Sequence, residues 1–180
     1  MKTNIKIPNS VKRVLDILTR DNVHCVLAGG SVVDLLHNKI PNDYDIFIDM
    51  ANVERLQILL GKTLKDKSSD YSSDYGVAGG KVRVYSLEYS EINIDLILIP
   101  KTGLSKREFV SNILNGFDLN ICQIGFIDNV LCKSIEFEKL LSTKEIKFFD
   151  RVGVLRSFHN SSGTSVRFKK YLKRYTGIYK

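Results

Sequence analysis

Apolar residues recur along the first half of the chain with periods that change from segment to segment. Val11, Val14, Leu15 and Leu18 repeat at helical spacing, which predicts a first helix capped by Asn9 or Ser10. HCVLA at 24–28 reads as a short buried strand. Gly29-Gly30-Ser31 interrupts it, and VVDLL restarts as a helix whose first turn faces the glycines. After a turn around Pro41, DYDIFID at 43–49 alternates as a strand. Asp43, Asp45, Phe47 and Asp49 share one face and Tyr44, Ile46 and Ile48 the other. A helix over roughly 52–60 follows, with Val53, Leu56, Leu59 and Leu60 as its apolar positions.

Residues 61–80 are rich in Ser, Asp and Gly and predict an exposed loop, in which Tyr71 and Tyr75 either stack on a base or pack the loop down. KVRVYSLEY at 81–89 and INIDLILI at 92–99 form two strands around a tight turn at Ser90-Glu91. A helix near 105–115 precedes a hairpin over 117–132 that turns at Asp128-Asn129, and the remainder reads as mostly helical. Interleaved strands and helices followed by a helical end predict an α/β (α+β) fold, a mixed sheet flanked by helices. Residues 1–132 form the catalytic domain in this reading, and 133–180 a helical extension packed on it.

Composition narrows the picture. A chain of 180 residues with 43% hydrophobic residues has room for one core. No apolar run approaches the roughly 20 residues that span a bilayer, and MKTNIKIPNS lacks a secretion signal's apolar core, so the expectation is a cytoplasmic protein without a membrane partner. Cys25, Cys122 and Cys132 sit in apolar stretches without zinc spacing and read as buried free thiols.

The net charge of +7 is uneven. All 20 acidic residues precede position 151, whereas Arg151, Arg156, Arg167, Lys169, Lys170, Lys173, Arg174 and Lys180 lie from there on. Tyr171 and Tyr175 stand at i and i+4, as do Lys170 and Arg174. These stripes either grip RNA and stack a base or anchor the last helix with its charges in water.

Candidate chemistry concentrates in three places. Asp43 and Asp45, at i and i+2, point their carboxylates the same way, a like-charge pair that demands a cation or raises a pKa. Asp95 is a charge inside an apolar strand, unexpected unless something pairs with it. If its strand lies beside 43–49, three carboxylates converge to hold one or two Mg²⁺ or Mn²⁺ ions. Gly29 and Gly30 let a ligand approach the backbone, and the helix opening at Ser31 offers N–H groups and a hydroxyl to a phosphate. Lys81 and Arg83 share a strand face and either meet a triphosphate or balance charge across the sheet. Asp118 and Asn120 on a strand over 117–124 either line the same cleft or mark an exposed face, and Asp49 is expected to be structural. His24 reads as a surface or packing residue, and His37 as a cation at a helix C-terminus.

This pattern of Gly30-Ser31, Asp43-Tyr44-Asp45 and a later Asp95 resembles the nucleotidyltransferase superfamily typified by DNA polymerase beta. GGSVVDLLHNKIPNDYDIFI looks closest to the head region of poly(A) polymerases and CCA-adding enzymes, with Val33 where that branch usually carries Arg before the shared Asp34. The resemblance implies a polymerase beta-like core, metal coordination by Asp43 and Asp45, and orientation or deprotonation of an acceptor hydroxyl by Asp95. It further implies Mg²⁺-dependent transfer of a nucleoside monophosphate from an NTP to RNA, a tRNA 3′ end among the candidates, with pyrophosphate leaving. Two rivals stand beside it: a toxin-like or antibiotic-modifying transferase acting on a protein or small molecule, and a non-catalytic nucleotide- or RNA-binding module. A protein partner supplying acceptor specificity fits the small size.

Overall fold

The computed structural model describes residues 5–68, 76–77, 80–89, 92–149 and 161–180. The apolar spacing of 11, 14, 15 and 18 builds α1 (Asn9–Arg20), which buries that stripe. Its N-terminus corrects the expected cap. Pro8 stands in the capping position, its extended carbonyl accepting from the Lys12 N–H, while Ser10 faces the core and cannot reach the helix mouth. β1 (Cys25–Ala28), α2 (Gly30–Leu36), β2 (Tyr44–Asp49) and α3 (Val53–Leu60) follow. α3 is capped by the Asn52 side chain, which accepts from Arg55 N, and is closed by Gly61 in the left-handed conformation.

The stretch 61–80 is not wholly loop. β3 (Lys65–Asp66) pairs with the strand beyond it, and β4 (Gly76–Val77) and β5 (Gly80–Lys81) form a separate two-stranded ribbon. Tyr71, Tyr75 and the turn at Ser90-Glu91 lie outside the described residues. β6 (Arg83–Tyr89) and β7 (Ile92–Ile99) form the expected antiparallel pair. α4 (Lys106–Gly116) opens on a Ser105/Glu108 capping box.

The hairpin after α4 is shorter than its sequence suggests. β8 (Ile124–Ile127) and β9 (Val130–Lys133) turn through Asp128 and Asn129, both at positive φ, as a two-residue hairpin loop requires. The expected strand over 117–124 is replaced ahead of β8 by a 3₁₀ turn at Asn120–Cys122. The Asn120 amide donates to Glu145 O and its oxygen accepts from Lys147 N, so side-chain bonds hold backbone that a ladder would otherwise use. Those same bonds hold residues 145–147 beyond α5 (Ile135–Thr143) out of a helix. α6 (Ser161–Arg174) is the last helix.

The main sheet has seven strands in the order β3-β6-β7-β2-β1-β8-β9, and β2 against β7 is its one parallel pair. Two apolar layers sandwich it. Ile46, Ile48, Leu96 and Leu98 face α1, joined there by Phe137 and Leu140 of α5 and by Tyr171 and Tyr175 of α6. Phe47, Ile97 and Ile99 face the other way, onto Phe109, Val110, Ile113 and Leu114 of α4. Asp45 and Asp95 alternate onto that second face, at the end of β2 where the chain enters.

Candidate active site

Parallel pairing of β2 with β7 places Asp45 directly opposite Asp95, and the antiparallel register of β6 adds Ser86 beside Asp95. Adjacent strands run about 4.8 Å apart, so the two carboxylates are close neighbours on one face. Asp43 lies one residue before β2, on the same side as Asp45 by alternation. Burial increases across the trio: Asp43 is exposed, Asp45 half-buried and Asp95 only 4% exposed.

Electrostatics follow from that crowding. Burial pushes the Asp45 carboxyl up to about 8, and the charges of Asp43 and Asp95 push in the same direction. Lys170 and Lys67 pull against them. The Lys67 ammonium sits 3.1 Å from Asp95 Oδ1. As the side chains stand, no group of three His, Cys, Asp or Glu among the described residues is arranged to hold a metal ion.

The glycine turn adjoins this cluster, because β1 runs antiparallel to β2 and ends where β2 begins. Gly29 takes φ +86°, a conformation that L side chains rarely adopt, and its carbonyl accepts from the Val32 and Val33 amides to start α2. Its own N–H is spent on Ile124 O. Ser31 is buried and its hydroxyl has no hydrogen-bond partner. The space in front of both glycines is filled by the protein itself. A Cβ on Gly30 would stand 2.5 Å from the Tyr171 hydroxyl, and one on Gly29 would stand 3.3 Å from the Phe117 ring.

α6 is bound across α2. Asp34 Oδ1 accepts from Arg174 Nε at 2.6 Å and Asp34 Oδ2 from an Arg174 terminal nitrogen at 2.7 Å, while the Tyr175 hydroxyl donates to the same carboxylate. Arg167 pairs with buried Asp118. Tyr171 and Tyr175 stack with centroids 6.1 Å apart and are buried, so the aromatic stripe anchors the helix. Lys169, Lys170 and Lys173 remain exposed.

The other expected residues scatter. Arg83 lies on the sheet face opposite Asp95, exposed beside Tyr85 and Asp66. The Lys81 side chain, with Arg151 and Arg156, lies outside the described residues. Asp118 and Asn120 clamp α6 and the 145–147 segment. Asp49 accepts from Thr102 N at 2.7 Å and faces His24 at 3.7 Å, a structural arrangement. His37 is held against the Tyr179 hydroxyl at 2.9 Å, and burial together with Lys39 and Lys144 lowers its pKa, which corrects its expected cationic role. Cys25 and Cys122 are buried free thiols, and Cys132 is half-buried. Sequence reasoning missed Lys67, the pairing of Arg174 with Asp34 and the reach of Tyr171. The one signal for Lys67 was the apolar setting of Asp95, which required a partner from somewhere.

No family model and no curated protein matches the chain. Solved structures do match by fold. The CCA-adding enzyme of Thermotoga maritima in complex with tRNA superposes with a TM-score of 0.63 at 16% identity, over 97% of this chain and 40% of that one. A CCA-adding enzyme in complex with ATP gives 0.62 at 14% identity, over 97% and 41%. A tRNA-processing enzyme in an apo form gives 0.59 at 15%, over 89% and 43%. The chain thus spans less than half the length of the structures it resembles, and it shares with them the nucleotidyltransferase fold that its motifs implied.

Proposed function

We propose that this protein transfers a nucleoside monophosphate from an NTP to a hydroxyl of an RNA, releasing pyrophosphate, in a reaction that depends on Mg²⁺ or Mn²⁺. The observation that carries the reading is the in-register pairing of Asp45 with Asp95, with Asp43 on the same side and the glycine turn next to them. Folding has placed three carboxylates, from segments about fifty residues apart, where their mutual repulsion costs stability. An oxygen-only donor set of this kind suits a hard divalent cation, and the raised Asp45 carboxyl marks a charge that lacks a sufficient counter-ion. Asp43 and Asp45 would hold the metal, with Asp95 as a third ligand. Once bound, the ion supplies electrophilic polarisation of the α-phosphate and stabilises the leaving pyrophosphate.

The chain's own groups do the rest. Ser31 brings a buried hydroxyl without a partner to the opening of α2, and that hydroxyl suits a phosphate oxygen. Asp95 would orient the acceptor hydroxyl and accept its proton. Exposed Lys169, Lys170 and Lys173 give α6 a cationic face for an RNA backbone. The complexes of the matched enzymes with tRNA and with ATP support this choice of acceptor and donor.

Label transfer tests the reading. Protein is incubated with each α-labelled NTP, Mg²⁺ or Mn²⁺ and total cellular RNA, with an Asp43→Ala, Asp45→Ala double variant as control. Labelled RNA from the wild type alone is expected. Absence of label on RNA rejects the RNA acceptor, and label on protein instead favours a modifying transferase.

A further inference from the structure

Lys67 is not a stray surface lysine. Its backbone N–H donates to Val84 O at 2.8 Å, the Val84 N–H donates to Ser68 Oγ at 3.1 Å, and Asp66 Oδ1 accepts from Ser68 N at 2.7 Å. This network fixes residues 66–68 along β6, whose Ser86 stands in register with Asp95. The Lys67 side chain, 31% exposed, is thereby aimed onto the sheet face that carries the carboxylates, and its ammonium lies 3.1 Å from an Asp95 oxygen. One oxygen of Asp95 is taken by a protein cation.

From this geometry, and resting on the metal-dependent reading above, we propose that Lys67 is a positioning residue that competes with the metal for Asp95. It holds the third carboxylate in the empty site and yields it when the divalent ion enters. The ion pair keeps a buried carboxylate satisfied while the site is empty, since an unpaired charge at that depth is costly. The same pair weakens the affinity for free metal, because a positive charge beside the ligand set repels a second one and withholds one oxygen.

The test is direct Mn²⁺ binding without nucleotide, followed by the electron paramagnetic resonance of free Mn²⁺, together with thermal melts at each Mn²⁺ concentration. Lys67→Met removes the charge at similar length. Lys67→Gln also removes it but keeps an N–H donor for Asp95, which protects against loss of folding. Lys67→Arg retains the charge. The two neutral variants are expected to bind Mn²⁺ roughly tenfold more tightly than wild type, with Lys67→Arg close to wild type. Their melting temperatures should start lower and rise more with Mn²⁺ than that of the wild type, because the metal replaces the lost ammonium. Unchanged or weaker Mn²⁺ binding by folded neutral variants, with the wild type still binding, overturns the competition and leaves the metal site standing. If wild type, neutral variants and the Asp43→Ala, Asp45→Ala control all fail to bind Mn²⁺, the metal-dependent reading falls and the competition with it.

Discussion

Asp45 shows how a proposed metal ligand works against the fold that carries it. Its carboxyl is raised to about 8 in the folded protein, first by burial and then by Asp43 and Asp95, so the folded state keeps a proton that the unfolded chain releases near 4. Stability of the metal-free protein is therefore lost as pH rises between those values. Asp45→Asn should raise stability at pH 8 by about 1–2 kcal/mol while abolishing transfer, which urea unfolding in chelator and the label assay would check. His37 has the opposite sign. Its pKa is lowered, so the stability it contributes is fully present above roughly pH 6.5 and is lost as pH falls below that. A His37→Gln variant should show a flatter acid limb in the same unfolding series. The carboxylates were legible in the sequence because a charge in an apolar strand needs a reason. Lys67 was not, because a lysine in a polar stretch carries no period and gains meaning only from the register of β3 on β6.

Among elements, α2 and its glycine turn came through in sequence as a unit, but the reason for the second glycine did not. Reading Gly30 as room for a ligand overlooked Tyr171, which arrives from a helix more than a hundred residues later to occupy the Cβ direction. A Gly30→Ala substitution pushes a methyl group to 2.5 Å from the Tyr171 hydroxyl, and that ring cannot swing away because it is buried and stacked on Tyr175. The expected cost is about 1–3 kcal/mol, in the range of overpacked cores. Tyr171→Phe removes the clashing atom and leaves ring carbon at 3.6 Å, so the double variant should recover most of that loss. Additive losses in a double-mutant cycle would show that the hydroxyl is not what Gly30 accommodates. The segments misread as strand and helix, 117–124 and 145–147, share one cause. They bind each other: the Asn120 side chain donates to Glu145 O and accepts from Lys147 N, and its own backbone N–H donates to Lys147 O, contacts between residues 25 and 27 positions apart that no local pattern announces.

At the scale of the molecule, the sheet order turns a sequence pattern into a site, because one parallel pairing across the centre joins the acidic strand to Asp95. The basic end of the chain is less uniform than its composition. Arg174 holds Asp34 with two hydrogen bonds and Arg167 pairs with Asp118, so these cations belong to the fold. Lys169 and Lys173 are exposed and free to meet an outside polyanion. The two sets should therefore separate by experiment. Arg174→Ala strips a largely buried carboxylate of its main cation and should cost about 3 kcal/mol or more, seen as a lower melting temperature with or without RNA. A Lys169→Ala, Lys173→Ala variant should leave stability within about 0.5 kcal/mol of wild type. It should also weaken RNA binding across sequences and reduce the slope of log affinity against log salt by roughly two. Unchanged RNA binding and salt dependence in that variant would remove the exposed face of α6 from the RNA interface and direct the search for it to another surface of the protein.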